Sequence, residues 1–148
     1  AVARPRKGLP AGARAMRWLR KIFGLKAAIA VIDDSDELSS MLLMYLGKRG
    51  YRMKRARDGE EGVNLVSRTL PDLVILDITM PKMDGIGALA LIKSDPKTAG
   101  IPVLMCTDHS TMNDVEKCCG SGGAAGYILK PFELSKVLEK VRAVLKEY

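Results

Sequence analysis

The chain has 148 residues, a length typical of one domain with a single buried core. No apolar stretch approaches the roughly 20 residues that a membrane-spanning helix needs. The first 26 residues hold eight Lys or Arg and no acid, so they account for the net charge of +7; residues 27–148 hold sixteen basic against seventeen acidic residues. The body is therefore nearly neutral, which excludes a nucleic-acid surface spread over the whole domain.

Residues 1–26 form a basic N-terminal extension, and residues 27–148 form the predicted folded domain. Arginines and lysines in the extension interleave with four large apolar residues that share one face if the segment is helical: Trp18, Leu19, Ile22 and Phe23. Such a face suits an anionic membrane surface or a groove on a partner protein. Alternatively, the native chain starts at Met16, and residues 1–15 are upstream sequence without a function.

From Ala27 onward, strand patterns alternate with helical patterns five times. Four short apolar runs predict buried strands at residues 28–32, 73–77, 102–107 and 127–129, and the alternation of residues 51–56 predicts a further strand. The helical patterns predict helices at residues 36–49, 58–70, 86–94 and 111–119, and from 134 to the C-terminus. Strands that alternate with helices of this length indicate an α/β fold, with a parallel sheet covered on both faces.

Four of the predicted strands end in side chains with complementary chemistry. The first is followed by Asp33 and Asp34, and the others end at Asp77, Thr107 and Lys130. In open α/β sheets, ligands bind beyond the carboxyl ends of the strands. We therefore expect these side chains to meet at one edge of the sheet.

A cluster of three carboxylates needs a positive partner, because mutual repulsion and burial would otherwise raise one of their pKa values. Magnesium prefers oxygen ligands, which Asp33, Asp34 and Asp77 supply. Lys130 adds a fixed positive charge and Thr107 a hydroxyl donor, and both suit phosphoryl oxygens. One carboxylate is then placed to act as a nucleophile toward phosphorus.

These residues resemble the receiver domains of two-component response regulators, from about Ala27 to Tyr148. The resemblance rests on five motifs: Asp33-Asp34, Leu76-Asp77, Met80-Pro81-Lys82-Met83-Asp84-Gly85, Thr107 and Lys130-Pro131-Phe132. It implies a chemotaxis-regulator-like, flavodoxin-like (βα)5 fold, doubly wound, with five parallel strands in the order 2-1-3-4-5. It also implies that Asp77 accepts a phosphoryl group from a histidine kinase or phosphotransfer protein.

The resemblance assigns further roles within the site. Magnesium would be held by Asp33, Asp34, Asp77 and the backbone carbonyl of Thr79. Thr107 would bond the aspartyl phosphate and shift inward, which lets Tyr127 rotate from exposed to buried. Lys130 would pair with the phosphate and form a cis peptide bond with Pro131, an arrangement that proline makes accessible.

The chain departs from the family pattern beside Thr107, where the next residue is normally small. Asp108 either crowds and repels an incoming phosphodonor or points to solvent. His109 and Thr79 each lie two residues after a site residue, at positions that resemble those tuning autodephosphorylation. Thr79, Asp108 and His109 are therefore candidates for tuning the lifetime of the phosphoryl group.

The predicted function is a cytoplasmic phosphorylation switch that binds a downstream protein target, and not a turnover enzyme. One alternative is a degenerate receiver that binds partners without phosphorylation. Another is a haloacid-dehalogenase-like phosphatase that uses Asp34, because Asp34-Ser35-Asp36 also resembles that family. Taken singly, the site residues have simpler interpretations: Asp33 and Asp34 as helix caps, Asp77 as a turn former, Lys130 as a surface lysine. Cys106, Cys118 and Cys119 are expected to be free thiols in a reducing compartment.

Overall fold

A computed structural model of the chain describes residues 11–108, 113 and 123–146. Within them lie five strands, β1 Ala28–Ile32, β2 Arg52–Ala56, β3 Leu73–Asp77, β4 Val103–Thr107 and β5 Gly126–Leu129. They also contain five helices, α1 Ala11–Ile22, α2 Asp36–Gly47, α3 Gly59–Thr69, α4 Gly85–Ser94 and α5 Leu134–Leu145. Apart from residue 113, the predicted helix 111–119 lies outside the described residues, as do Cys118, Cys119 and most of the 120–123 connection. His109 lies outside them as well.

All five strands run parallel in one sheet, in the order β2-β1-β3-β4-β5. This confirms the predicted doubly wound α/β fold and its strand order. The order reverses direction at β1 and β3, and ligands of such sheets bind at this switch point. The two strands that end in aspartates are thus neighbours at the middle of the sheet.

Strand residues alternate between two apolar cores, because successive side chains point to opposite faces of a sheet. On one face, Ile32, Leu76 and Met105 pack in the core that includes residues of α3 and α4. On the other face, Val31 and Ile75 pack in the core that includes residues of α2 and α5. All five residues of β3 are buried, as are all five of β4, so the strands that carry Asp77 and Thr107 are both fully enclosed.

Several predicted boundaries differ from the structure by one to three residues. The helix predicted at 36–49 ends at Gly47, because Lys48 to Gly50 form tight turns and Gly50 reverses the chain with φ +92°. The strand predicted from Tyr51 begins at Arg52. The helix predicted to end near Pro71 ends at Thr69, where Leu70 adopts the left-handed conformation. The helix predicted from 86 begins at Gly85, after the cap Asp84.

Residues 11–22 of the extension form helix α1, the condition under which the four apolar residues were expected to share one face. Its Arg20 is buried and forms an ion pair with Asp72, which lies just before β3. None of the helices in the described residues combines the length and apolar content needed to cross a bilayer. The division into an extension and a folded domain at residue 26 stays a prediction.

Candidate phosphoryl-acceptor site

Three carboxylates meet where β1 and β3 end. Asp33 and Asp34 follow β1, Asp77 is the last residue of β3, and carboxylate oxygens of the three lie within 4.8 Å of one another. Asp33 and Asp77 are buried, whereas Asp34 is exposed. A cluster of oxygen donors that is open on one side fits a magnesium ion, which keeps several waters when a protein binds it. The structure thus brings together the three predicted carboxylate ligands.

Asp33 is held in place by its neighbours in α2 and β2. The backbone N–H of Ser35 donates to Asp33 Oδ1 at 2.8 Å, and Arg55 Nη2 donates to the Asp33 carbonyl at 3.2 Å. Ser35 is the cap of α2, because its side chain accepts from the backbone N–H of Leu38. The interpretation of Asp33 and Asp34 as helix caps is therefore wrong, and their carboxylates are available to the cluster.

Lys130 supplies the positive charge of the site from the end of β5. Its Nζ lies 3.2 Å from Asp77 Oδ1 and 3.5 Å from Asp33 Oδ2. Burial lowers the pKa of Lys130, but the negative charges of Asp77 and Asp33 outweigh this and raise it. The interpretation of Lys130 as an unengaged surface lysine is therefore wrong. The predicted cis peptide bond between Lys130 and Pro131 is confirmed.

The pKa of Asp77 is raised from its usual value of 3.8 to about 6. Burial is the largest cause and the charge of Asp33 the second, while Lys130 and a backbone hydrogen bond with Thr79 act in the opposite direction. The site thus holds a carboxylate that is desolvated, ionised above about pH 6 and paired with one lysine. Carboxylates with these properties are candidates for nucleophilic chemistry, because solvent no longer shields them.

Thr107 ends β4 at the same edge, and its side chain is buried. Its hydroxyl donates to the backbone carbonyl of Asp108 at 3.0 Å, and its own carbonyl accepts from the backbone N–H of Lys130 at 2.7 Å. The threonine is thus anchored to β5 through its backbone, while its hydroxyl is engaged with the next residue. Binding a phosphoryl oxygen would require that hydroxyl to turn.

Tyr127, the predicted switch residue, is half-buried in β5 and packs against one of the two cores. Lys140 Nζ lies 4.9 Å from the centre of its ring and donates to its backbone carbonyl at 2.6 Å. The ring is thus in neither of the two states, exposed or buried, that the resemblance implies.

Two of the three rate-tuning candidates lie within the described residues. Thr79 and Asp108 are exposed, and the exposure of Asp108 favours the solvent-facing alternative over direct crowding of the cluster. His109 lies outside the described residues. The role of the Thr79 carbonyl as a metal ligand stays a prediction.

Gly85, at the start of α4, fixes the loop that follows Asp77. A Cβ at this position would lie 2.1 Å from the Asp77 carbonyl oxygen and 2.7 Å from Ile78 Cα. Its N–H donates to the Ile78 carbonyl at 2.7 Å, and Asp84 caps the helix by accepting from the N–H of Gly87. Only glycine permits this close approach of backbone to backbone, so Gly85 positions the acceptor strand.

Two arginines that border the site were not anticipated from the sequence: Arg55 in β2 and Arg57 just after that strand. Arg55 and Arg57 each donate to Asp36 Oδ1, at 2.6 Å and 2.9 Å, and they lower the pKa of that carboxyl. Arg55 also reaches the Asp33 carbonyl. The available signal was the position of Arg55 near the end of the strand next to β1, three residues before the helix cap Asp58.

Comparison with known proteins agrees with this geometry. The family model of the response regulator receiver domain matches residues 29–142. The DNA-binding dual master transcriptional regulator RpaA of Synechocystis is 37% identical over 118 residues, which cover 80% of this chain and 48% of that protein. The chain thus spans about half the length of the curated relatives it matches.

Solved structures give the same result. The signal receiver domain of a signal transduction histidine kinase from Syntrophus aciditrophicus is 32% identical, with a TM-score of 0.74, over 81% of this chain and 90% of that one. The chemotaxis protein CheY4 of Vibrio cholerae is 26% identical, with a TM-score of 0.75, over 80% of this chain and 98% of that one.

Proposed function

The chain belongs to the response regulator receiver family, and on this basis we propose that Asp77 accepts a phosphoryl group from a phosphohistidine. The donor would be a sensor histidine kinase or a phosphotransfer protein. The observation that carries this proposal is the position of Asp77: it is buried, within 4.8 Å of two other carboxylates and 3.2 Å from Lys130. Asp33 lies in the same cluster, with its Oδ2 3.5 Å from Lys130 Nζ. Asp77 is proposed as the acceptor because it lies closer to that lysine and ends β3, the position to which the receiver resemblance assigns the role.

In the proposed reaction, an Asp77 carboxylate oxygen forms a bond to phosphorus while the phosphorus–nitrogen bond of the donor breaks. The electron pair of that bond goes to the imidazole nitrogen. Asp77 must be ionised to act in this way, and with a pKa of about 6 it is mostly ionised at neutral pH. The protein thus supplies an acceptor that is charged but poorly solvated.

Three other groups would manage the charge of the transferred phosphoryl group. Magnesium, if held by Asp33, Asp34, Asp77 and the Thr79 carbonyl, would supply positive charge for the phosphoryl oxygens. Lys130 would exchange part of its contact with Asp77 for a phosphoryl oxygen. The Thr107 hydroxyl would leave the Asp108 carbonyl and donate to the phosphoryl group.

The output would be a change in partner binding. Movement of Thr107 would draw the end of β4 inward and let the half-buried Tyr127 pack more deeply, which alters the surface formed by β4, β5 and α5. A downstream protein target would read this surface. On this proposal the chain is a cytoplasmic signalling domain whose chemistry is limited to its own phosphorylation and dephosphorylation.

Incubation of the protein with magnesium and labelled acetyl phosphate tests the proposal. We expect about one acid-stable, base-labile phosphate per chain, lost in Asp77→Asn and absent when magnesium is chelated. Asp84→Asn is the matched control, because asparagine caps a helix as well as aspartate does and Asp84 lies outside the carboxylate cluster.

Two other outcomes would contradict the proposal. Label that survives Asp77→Asn but is lost in Asp34→Asn would favour the phosphatase-like alternative. No label from acetyl phosphate or from a cognate kinase, with the fold intact by circular dichroism, would identify a degenerate receiver.

A further inference from the structure

Helix α1 is fixed to the folded domain by the polar side of the helix. Arg20, only 8% exposed, pairs with Asp72, and Arg17 Nε lies 3.9 Å from the same carboxylate. Asp72 is itself tied to β1, because its Oδ2 accepts from the backbone N–H of Ala28 at 2.7 Å. These contacts set which side of the helix faces the body.

The end of α1 is fixed by a Schellman motif. Gly24 has φ +65°, its N–H donates to the Lys21 carbonyl, and the Leu25 N–H donates to the Arg20 carbonyl at 2.7 Å. This pair of bonds is the usual way in which a glycine ends a helix. It holds the residues after the helix in a defined orientation instead of letting them fray.

The outward side of α1 and the residues just after the helix expose large apolar side chains, which we call the apolar face of α1: Trp18, Leu19, Ile22, Phe23 and Leu25. Of these, Leu25 also lines the cleft between α1 and the body. Trp18 is 64% exposed and Phe23 71% exposed. Of the eight large hydrophobic side chains that are exposed among the described residues, five belong to this face. Exposed apolar residues that occur singly need no explanation, but a contiguous group of this kind marks a binding surface.

Among the described residues, basic side chains lie beside the apolar face. Residues 1–26 contain eight Lys or Arg and no acid. A cleft of about 310 Å³ between α1 and the body is lined by Arg17, Arg20, Lys21 and Lys146, against the single carboxylate of Asp72. An anionic partner is therefore attracted to this end of the molecule.

We propose that the apolar face of α1 binds in the interfacial region of an anionic lipid membrane. Apolar and aromatic residues on one side of a helix, with cations on the other, are typical of helices that lie in the plane of a membrane. With 12 residues, α1 is about 18 Å long and lies along the surface rather than across it. A second copy of the same helix is disfavoured as the occupant, because two acid-free cationic segments repel each other.

Membrane binding through α1 leaves the phosphoryl-acceptor site accessible. Asp72, the anchor of α1, precedes β3, whereas Asp77 ends the strand. Five residues of strand span roughly 16 Å at about 3.3 Å each, so α1 and the carboxylate cluster lie toward opposite edges of the sheet. The proposal therefore does not depend on phosphorylation, and either one can fail without the other.

The single tryptophan of the chain, Trp18, reports directly on binding. We expect its emission to shift to shorter wavelength, and the protein to co-sediment, with vesicles of phosphatidylglycerol and phosphatidylcholine but not with phosphatidylcholine alone. Leu19→Ser combined with Phe23→Ser should weaken partitioning by about ten-fold or more, because both lose apolar transfer energy. Lys21→Gln should weaken it by roughly five-fold, the contribution of one cation near an anionic surface.

The matched control is Met44→Ser combined with Leu91→Ser, which removes exposed apolar side chains from other helices, 63% and 45% exposed. This variant should partition as the unchanged protein does. Three results would overturn the proposal. The protein could bind neutral vesicles equally well, or bind neither kind of vesicle, or bind normally when Leu19→Ser and Phe23→Ser are combined. A blue-shifted Trp18 without lipid, together with a dimer by sedimentation velocity, would assign the face to a second copy instead.

Discussion

Lys130 and Asp77 meet across β4 although 53 residues separate them in the chain: Nζ lies 3.2 Å from Oδ1. Asp77 ends β3 and Lys130 follows β5, so the intervening strand sets the distance between them. The ion pair is thus assembled by the topology of the sheet. It keeps a buried carboxylate ionised at neutral pH while leaving the cation where a phosphoryl oxygen would arrive.

The raised pKa of Asp77 predicts a specific pH dependence of stability. Between its unfolded value of 3.8 and its folded value of about 6, the folded protein retains a proton that the unfolded chain has released. Stability from this group is therefore lost as pH rises through that window. With magnesium removed by a chelator, we expect the free energy of unfolding of the unmodified protein to fall by about 1 kcal/mol between pH 5 and pH 7, relative to that of Asp77→Asn. Urea unfolding at both pH values measures this, and an equal difference at the two would refute it.

Removal of the lysine charge should separate metal binding from phosphoryl retention. Lys130→Met leaves Asp33 and Asp77 without a cation, so we expect magnesium to bind several-fold more tightly, a gain of about 1 kcal/mol. Phosphorylation by acetyl phosphate should nevertheless fall, because the phosphoryl oxygens lose their partner. Isothermal titration calorimetry measures the first effect. Lys136→Met, on the exposed side of α5, should change neither, and weaker magnesium binding in Lys130→Met would contradict the assigned role.

Gly85 and Gly87 form a natural pair for testing the loop after Asp77. Gly85→Ala should destabilise the protein by about 1–3 kcal/mol and slow phosphorylation, since the new Cβ would collide with the Asp77 backbone at 2.1 Å. Gly87→Ala meets only Met83 Cγ at 3.3 Å and the Asp84 side chain at 3.4 Å. Because alanine favours helices, it should be neutral or stabilising by up to about 1 kcal/mol. Thermal unfolding distinguishes the two variants. Similar melting temperatures would show that the loop accommodates the new Cβ without loss of stability, which would contradict the role given to Gly85.

Asp108 should slow phosphorylation through its charge rather than its bulk, because the residue is exposed. Asp108→Ala is expected to raise the labelling rate with acetyl phosphate about two-fold at low ionic strength. The gain should shrink at high salt, since exposed charges are screened. Glu139→Gln, an exposed acid on α5, serves as the control. A gain that is independent of salt would indicate crowding instead.

The sheet and the site were predictable because four of the five strands are short apolar runs that end in, or are followed by, a polar side chain. The fifth, β2, was predictable from its alternating pattern. The carboxyl ends of parallel strands lie at the same edge of the sheet. The positions along the chain were therefore enough to predict that four side chains meet there: Asp33, Asp77, Thr107 and Lys130. The resemblance added the strand order and the cis bond. The ends of helices were predicted less accurately. Lys48 and Arg49, for example, continue the sequence pattern of α2, although the backbone already forms turns there.

Other features could not be predicted from the local sequence pattern. Arg20 and Asp72 pair across 52 residues, and neither the periodicity of α1 nor the start of β3 indicates the partner. The donation from Thr107 to its own neighbour and the half-buried state of Tyr127 depend on side-chain orientation, which spacing does not determine.

The most direct test of the account is to locate the phosphorylated residue. Borohydride reduces an aspartyl phosphate to homoserine, and trypsin then separates the candidates, because Asp77 lies in the peptide 69–82 while Asp33 and Asp34 lie in 27–48. After treatment with magnesium and acetyl phosphate, we predict homoserine at position 77 alone. Homoserine at position 34, or at neither position in a protein that carries labile phosphate, would contradict the account.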